Sequence, residues 1–388
     1  MFRLLRLFTP LVLIIVLGNS AFAYETKARA AFVMDITTGT VLLNKNADTP
    51  LPPASMSKLM TLFVTFEAIR DGRLSLDEYL PVSQHAMSYG GSTMFLDTTD
   101  RVKVSDLLRG IIVLSGNDAC VVIAEALSPD GTEAGFARFM TKRAQQLGMT
   151  NSTFVNSNGW PAPGHEMSMR DLALVARLLI EDFPEFYPIF SETEFKFDGR
   201  APGNIYNRNP LLTLGIGADG LKTGHTKDAG YGLVGSAKQG NRRVLVVISG
   251  LESARARAEE SEAIINWAFR QFVEKSIIDA GTEVARADIW MGSATQVGLA
   301  PAKDVSALIS AIGSEPLKIE VVYTGPIRAP VKKGDALAEL VITPEGMSET
   351  RVPLLATEDV AKGGFLARIR TVTGLLLTRL RQGSEGAL

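Results

Sequence analysis

Two strongly apolar helical runs, Leu107 to Leu114 and Ala119 to Leu127, follow one another with the polar Ser115-Gly116-Asn117 between them. A surface helix keeps a polar face; these runs do not, so together they predict the buried centre of a domain that surrounds them. A hydroxyl and an amide buried at such a centre are unfavourable unless both are bonded. Ser115 and Asn117 are therefore candidates for something other than packing.

Around this centre the chain divides. At 388 residues it is too long for one ordinary core and predicts two domains. Ala30 to Leu43 has the pattern of two short strands joined at Thr38-Gly39. After Pro52-Pro53, Ser55 opens a helical run with Met56, Leu59, Met60, Phe63, Val64 and Ile69 at mostly helical spacing, ended by Asp71-Gly72. Gly230 to Ser236 and Arg243 to Ser249 predict adjacent strands turning at Gln239-Gly240-Asn241, and Glu259 to Phe272 a helix. Near residue 277 the pattern becomes short β-rich runs, Ala287–Met291, Lys318–Tyr323 and Ala336–Ile342, separated by Gly and Pro. Residues 277–357 are thus expected to form a small all-β sandwich.

The two ends differ from both domains. Arg3 and Arg6 precede an apolar run, Leu11 to Leu17, and Ala21-Phe22-Ala23 is a small-x-small cleavage site. Residues 1–23 are read as a cleaved secretory signal, because the run falls short of the ~20 residues a bilayer core requires. The mature chain would then fold outside the cytoplasm, and its one cysteine, Cys120, can form no intramolecular disulfide. At the other end, Phe365, Ile369, Val372, Leu376 and Leu380 fall on one helical stripe beside Lys362, Arg368, Arg370, Arg379 and Arg381. Residues 358–384 therefore predict a basic amphipathic helix, either packed on its own protein or, in the reading favoured here, lying on an anionic membrane.

Charge separates the same parts. The whole chain carries −2, but residues 24–359 hold 33 basic and 41 acidic side chains, a balance of −8, and residues 360–388 hold five and one, or +4. That gives no general excess of positive charge for a phosphate backbone, so nucleic acid is not an expected partner. With three histidines, no cysteine pair and no HExxH, neither a metal nor another cofactor is expected.

Chemistry has three candidate motifs. In Ser55-Met56-Ser57-Lys58, residues i and i+3 share a helix face, so Lys58 can sit beside the Ser55 hydroxyl at the positive end of a helix. Alone, S-x-x-K is common enough to be chance. Ser115-Gly116-Asn117 adds polar groups in an apolar environment. Lys222-Thr223-Gly224 lies just before a strand, where Gly permits close backbone approach and Lys and Thr can offer donors to a carboxylate. Finding all three in this order makes coincidence a poor account.

The series resembles the S-x-x-K, S-x-N and K-T-G motifs of serine DD-peptidases and β-lactamases, and more closely the low-molecular-mass penicillin-binding proteins that act as D-alanyl-D-alanine carboxypeptidases. The likeness extends to Ala30–Leu43, Asn158-Gly159-Trp160, Ser168-Met169-Arg170-Asp171, Asn207-Arg208-Asn209-Pro210-Leu211-Leu212 and Asp219-Gly220. It implies an α+β catalytic domain over residues 24–276, an antiparallel sheet packed with helices. It also implies Ser55 as the acylated nucleophile, Lys58 as its base with Lys222 as a neighbouring cation, Ser115 as proton relay and Asn117 as a holder of Lys58 and substrate. The backbone N–H groups of Ser55 and His225 would form the oxyanion hole, and Thr223 with Gly224 would bind the substrate's terminal carboxylate, helped by Arg208 and Arg257. Spacing does not choose between Arg257 and Arg255. Expected partners are a peptidoglycan pentapeptide ending in D-Ala-D-Ala, β-lactams as inhibitors and the inner membrane surface, in a periplasmic setting.

Other readings of the same apparatus are a β-lactamase, a DD-endopeptidase and a non-catalytic peptidoglycan-binding protein. Class A β-lactamases place a deacylating glutamate downstream of S-x-N; the corresponding Thr150-Asn151-Ser152-Thr153 has no carboxylate. The expectation is therefore acylation by penicillin with slow release. His85 and His165 are expected to be structural or surface residues, and Cys120 a small core residue.

Overall fold

The computed structural model describes residues 24–311, 317–344 and 349–364. The chain begins with β1 (Ala30–Asp35), β2 (Thr40–Lys45), α1 (Lys58–Arg70), β3 (Tyr79–Pro81), α2 (Gln84–Met87), β4 (Arg101–Lys103) and α3 (Val104–Arg109). It continues through α4 (Asn117–Leu127), α5 (Glu133–Gln146), α6 (Met169–Asp182), β5 (Ala218–Thr226), β6 (Gly230–Gln239), β7 (Arg242–Leu251) and α7 (Ala254–Gln271). The five longer strands form one antiparallel sheet ordered β2-β1-β7-β6-β5, the α+β arrangement expected.

Both faces of this sheet are covered, which explains why its central strands read as unbroken apolar runs. Phe32 and Met34 of β1, with Leu245 and Val247 of β7, join the core beneath α1 and α4. Their neighbours Ala31, Val33, Val244, Val246 and Ile248 face the opposite way, onto Ile264, Ile265 and Ala268 of α7. A one-residue slip would exchange the two cores.

Lys58 through Phe66 of α1 are all buried, so this helix runs through the domain rather than along it. The apolar pair singled out in the sequence lies beside it, and the break between its halves is sharp. Residues 110–114 widen into a π turn, Ser115 takes a left-handed conformation (φ 64°, ψ 34°), and Asn117 starts α4. For a non-glycine residue that backbone costs of order 1–3 kcal/mol and persists only where the surroundings enforce it.

The second unit begins earlier than the boundary expected at 277. Strand β8 (Phe272–Ile278) follows α7 directly; its exposed Val273, Glu274 and Lys275 hide the strand pattern from the sequence. It pairs with β11 (Val305–Ser310), and β9 (Ala285–Trp290), β10 (Gln296–Pro301), β12 (Lys318–Val322), β13 (Ile327–Arg328), β14 (Ala336–Thr343) and β15 (Thr350–Ala356) form a six-stranded sheet. Val305 and Ala307 close a core with Leu299, Leu340 and Leu354 from the larger sheet, giving the two layers of a sandwich.

The segment after β15 corrects the expected start of the C-terminal helix. Val360 is buried in the sandwich core and bridges Val331, and Lys362 bridges Gly292, so residues 358–364 are not helical. Burial of Val360 against its own domain outweighs any local helical preference. The stripe from Phe365 onward, and the signal at 1–23, lie outside the described residues.

Candidate active site

Ser55 sits in a 3₁₀ turn, Ala54–Ser57, that leads into α1, so the i to i+3 relation brings Lys58 beneath it as expected. Lys58 Nζ is fully buried and bonds Ser55 Oγ at 2.8 Å, Asn117 Oδ1 at 2.8 Å and the Asn158 carbonyl at 2.6 Å. As an ammonium it uses all three protons on these acceptors. As a neutral amine it can still donate to Asn117 and Asn158, leaving its lone pair to accept from the Ser55 hydroxyl. Burial lowers its pKa to about 8, and Arg208 pushes the same way, while Asp118 and Glu133 oppose. A base with a pKa near the working pH is well matched to removing a hydroxyl proton.

Asn117 reaches Lys58 because the Ser115–Asn117 break turns the start of α4 toward α1. Its Nδ2 donates to Gly90 O at 2.8 Å, fixing which end of the amide faces the lysine. Asp118, one residue on, accepts from the backbone N–H groups of Met94 and Leu96, which holds the 88–97 loop against the same helix start.

Lys222 lies on β5, the edge strand of the sheet, and donates to Ser115 Oγ at 2.9 Å. Its pKa is lowered well below that of an ordinary lysine, first by burial and then by Lys58 and Arg208. Burial is the leading cause for both lysines, and Lys222, the neighbouring cation that the resemblance implies, is held apart from Lys58 on a different serine. Gly224 lets β5 approach the nucleophile turn: a Cβ there would stand 2.9 Å from Pro53 O and 3.0 Å from Met56 Cγ. Thr223 is also buried beside Lys222, whereas the His225 ring is exposed and stacks on Tyr231 at 3.8 Å.

The structure separates the two arginines that spacing could not. Arg255 is exposed and paired with Glu259. Arg257 is buried, lies 5.8 Å over the Tyr231 ring and donates to Arg208 O at 3.3 Å; its Nε has no partner among the described residues. Arg208 donates to Ser92 Oγ and to Leu114 O just ahead of Ser115. Arg208 and Arg257 form no ion pair among the described residues, so this corner carries positive charge without a partner. A buried carboxylate would relieve it.

Sequence reasoning passed over several groups that shape the site. The Asn158 carbonyl is one, and a carbonyl carries no residue signature. His165, expected to be structural or surface, is buried, and its Nδ1 accepts from Val155 N, which puts the proton on Nε2 to donate to Ser57 Oγ at 2.8 Å. Burial drives its pKa down to about 4, so it is neutral and structural, as expected. Gly159, with φ +82°, passes so close to the nucleophile turn that a Cβ would stand 1.9 Å from Ala54 O. The thiol of Cys120 is fully buried, and burial pushes its pKa up to about 12, leaving it a core residue. A cavity of about 350 Å³ opens beside Ala54, walled by Trp160 and Thr226.

Residues 18–253 match the D-alanyl-D-alanine carboxypeptidase (Peptidase S11) family model, and residues 272–362 match the C-terminal domain of penicillin-binding protein 5. The D-alanyl-D-alanine carboxypeptidase DacC of Escherichia coli is 37% identical over 356 residues, which cover 89% of this chain and 88% of the relative. Penicillin-binding protein 5 of Haemophilus influenzae superposes with a TM-score of 0.78 at 32% identity, over 87% of this chain and 99% of that one. The ampicillin-bound form of penicillin-binding protein D2 from Listeria monocytogenes aligns at 33% identity and a TM-score of 0.57, over 63% of this chain and 98% of that one. With a half-buried Ser55 on a fully buried Lys58, a second lysine on an edge strand and family matches over both domains, the chain belongs to the D-alanyl-D-alanine carboxypeptidase family.

Proposed function

We propose that Ser55 is the nucleophile of a serine-type carboxypeptidase that removes the terminal D-alanine from peptidoglycan pentapeptides. The observation that carries this is Lys58: buried, lowered to a pKa of about 8, and 2.8 Å from Ser55 Oγ. Neutral Lys58 takes the Ser55 proton as Oγ bonds to the carbonyl carbon of the penultimate D-alanine. The tetrahedral oxyanion is received by the backbone N–H groups of Ser55 and His225, a contribution of about 3 kcal/mol per donor. On collapse the C–N bond breaks, and the proton passes through Ser115 to the departing D-alanine nitrogen. Water then attacks the acyl-enzyme, releasing the shortened peptide and restoring Ser55.

Binding uses the edge position of β5, whose outer backbone groups no strand among the described residues pairs, so an extended peptide can add alongside it. Thr223 and Gly224, with Arg208 and Arg257 behind them, hold the terminal carboxylate. The same nucleophile opens the ring of a β-lactam, giving a long-lived adduct. The enzyme works in the periplasm, held at the inner membrane by its segment after residue 364. No helix among the described residues is long and apolar enough to cross a membrane.

Incubation with a pentapeptide should release free D-alanine, and penicillin should add one covalent mass that Ser55→Ala abolishes. A wild-type protein that releases no D-alanine and takes no adduct refutes the reading; rapid nitrocefin turnover would make it a β-lactamase instead.

A further inference from the structure

Glu133, the first residue of α5, is a buried carboxylate far from Ser55 in sequence, and two chain segments converge on it. Its Oε1 accepts from Ser157 N at 2.9 Å and Ser157 Oγ at 2.6 Å, with Asn158 Nδ2 at 3.4 Å. Its Oε2 accepts from Tyr89 OH at 2.7 Å and contacts His85 Nε2 at 2.8 Å. These bonds fasten the 155–160 loop to α5 and to the end of α2. The next peptide group in that loop is the Asn158 carbonyl, which holds Lys58 Nζ at 2.6 Å. On the other side, Thr61 Oγ1 of α1 donates to Ser157 O at 2.5 Å, so the loop is pinned between Glu133 and the lysine helix.

From this chain of contacts we infer that Glu133 is a positioning residue for the base: it sets the Asn158 carbonyl that aims Lys58 at Ser55, and it does so without touching substrate. The inference rests on the reading of Ser55 as an acylated nucleophile. It assigns a role to a residue that no part of the S-x-x-K, S-x-N, K-T-G series contains.

Two effects follow. Losing the carboxylate frees Ser157 and Asn158, so the amine samples orientations away from Ser55 and acylation slows with little change in initial binding. Removing a negative charge near Lys58 also makes its ammonium less favourable. The other groups facing Lys58 are Asp118 and the Cys120 thiol from α4, Lys222 from β5, Arg208 and His165. Of these, Cys120 and His165 also feel the Glu133 charge, and burial already holds both neutral.

The test is the pH profile of penicillin acylation, resolved into the saturating rate and the dissociation constant of the non-covalent complex, for wild type, Glu133→Ala and Glu133→Gln. Glu133→Ala should lose about tenfold or more in saturating rate, as loss of a charge-assisted bond to the positioning loop implies, with the dissociation constant within about threefold. Glu133→Gln keeps an acceptor for Ser157 and should recover part of the rate, but its acid limb should move to lower pH. A structural role alone would lower thermal stability and leave that limb in place. If Glu133→Ala does not fold, Glu133→Gln decides: a wild-type rate and an unmoved limb overturn the inference. Acylation of wild type with unaltered variants refutes the Glu133 role alone, whereas no acylation of wild type refutes the nucleophile reading and this role with it.

Discussion

Replacing Asn117 by Asp would put a carboxylate oxygen where Oδ1 now stands, 2.8 Å from Lys58 Nζ, with almost no change of shape. Two unit charges at that distance attract by about 6 kcal/mol at an effective dielectric of roughly 20. About 2 kcal/mol of that replaces the bond the ammonium already makes to the amide oxygen. The remainder, about 4 kcal/mol, raises the Lys58 pKa by about three units. From its value of about 8, roughly one lysine in ten is neutral at pH 7. In the variant the fraction falls to roughly one in ten thousand, so acylation at pH 7 should drop about a thousandfold. Intact-mass or stopped-flow measurement of penicillin acylation from pH 6 to 10 reads this directly. The wild-type rate should rise until about pH 8 and level off, whereas the variant should still be climbing at pH 10. A variant within threefold of wild type at pH 7, with its acid limb unmoved, would refute Lys58 as the base.

Other expectations concern the surroundings. Gly159→Ala adds a Cβ 1.9 Å from Ala54 O at a positive φ, so it should destabilise by about 2–4 kcal/mol in a denaturant melt and displace the nucleophile turn, cutting acylation. Arg257→Met should weaken binding of a peptide with a free C-terminal carboxylate by about 2 kcal/mol while leaving its amide little affected, and Arg255→Met should change neither. His165 has a folded pKa of about 4, below its ordinary value, so between about 4 and 6.5 the unfolded chain binds more protons than the native one. Stability should therefore fall by about 3 kcal/mol as pH drops through that window, and His165→Asn should flatten this part of the curve.

What could be seen without coordinates was of two kinds. Ser55 and Lys58 are related by helix geometry alone, because i and i+3 meet whatever the rest of the chain does. Ser115 and Asn117 stood out as polar residues that an apolar run would not tolerate idly. By contrast, Arg257 could not be told from Arg255, since the choice depends on which face of α7 meets Tyr231. Nor did the pattern reveal β8, whose outer residues face solvent on an exposed two-stranded pair. The non-helical run at 358–364 reads locally as the start of a helix, because the burial of Val360 depends on Val331, nearly thirty residues away.

Local chemistry along the chain thus determined the motifs, the apolar centre, the hairpins and the change to β structure after α7. Tertiary structure decided what those motifs face. Lys58 becomes a base because folding strips it of water and gives it Asn117 and the Asn158 carbonyl, neither of which is near it in sequence. Lys222 meets Ser115 across 107 residues, and Glu133 reaches the loop behind Lys58 across 24. Desolvation and hydrogen bonding act through space, so the lowered pKa that makes this site reactive belongs to the folded domain and not to any segment of it.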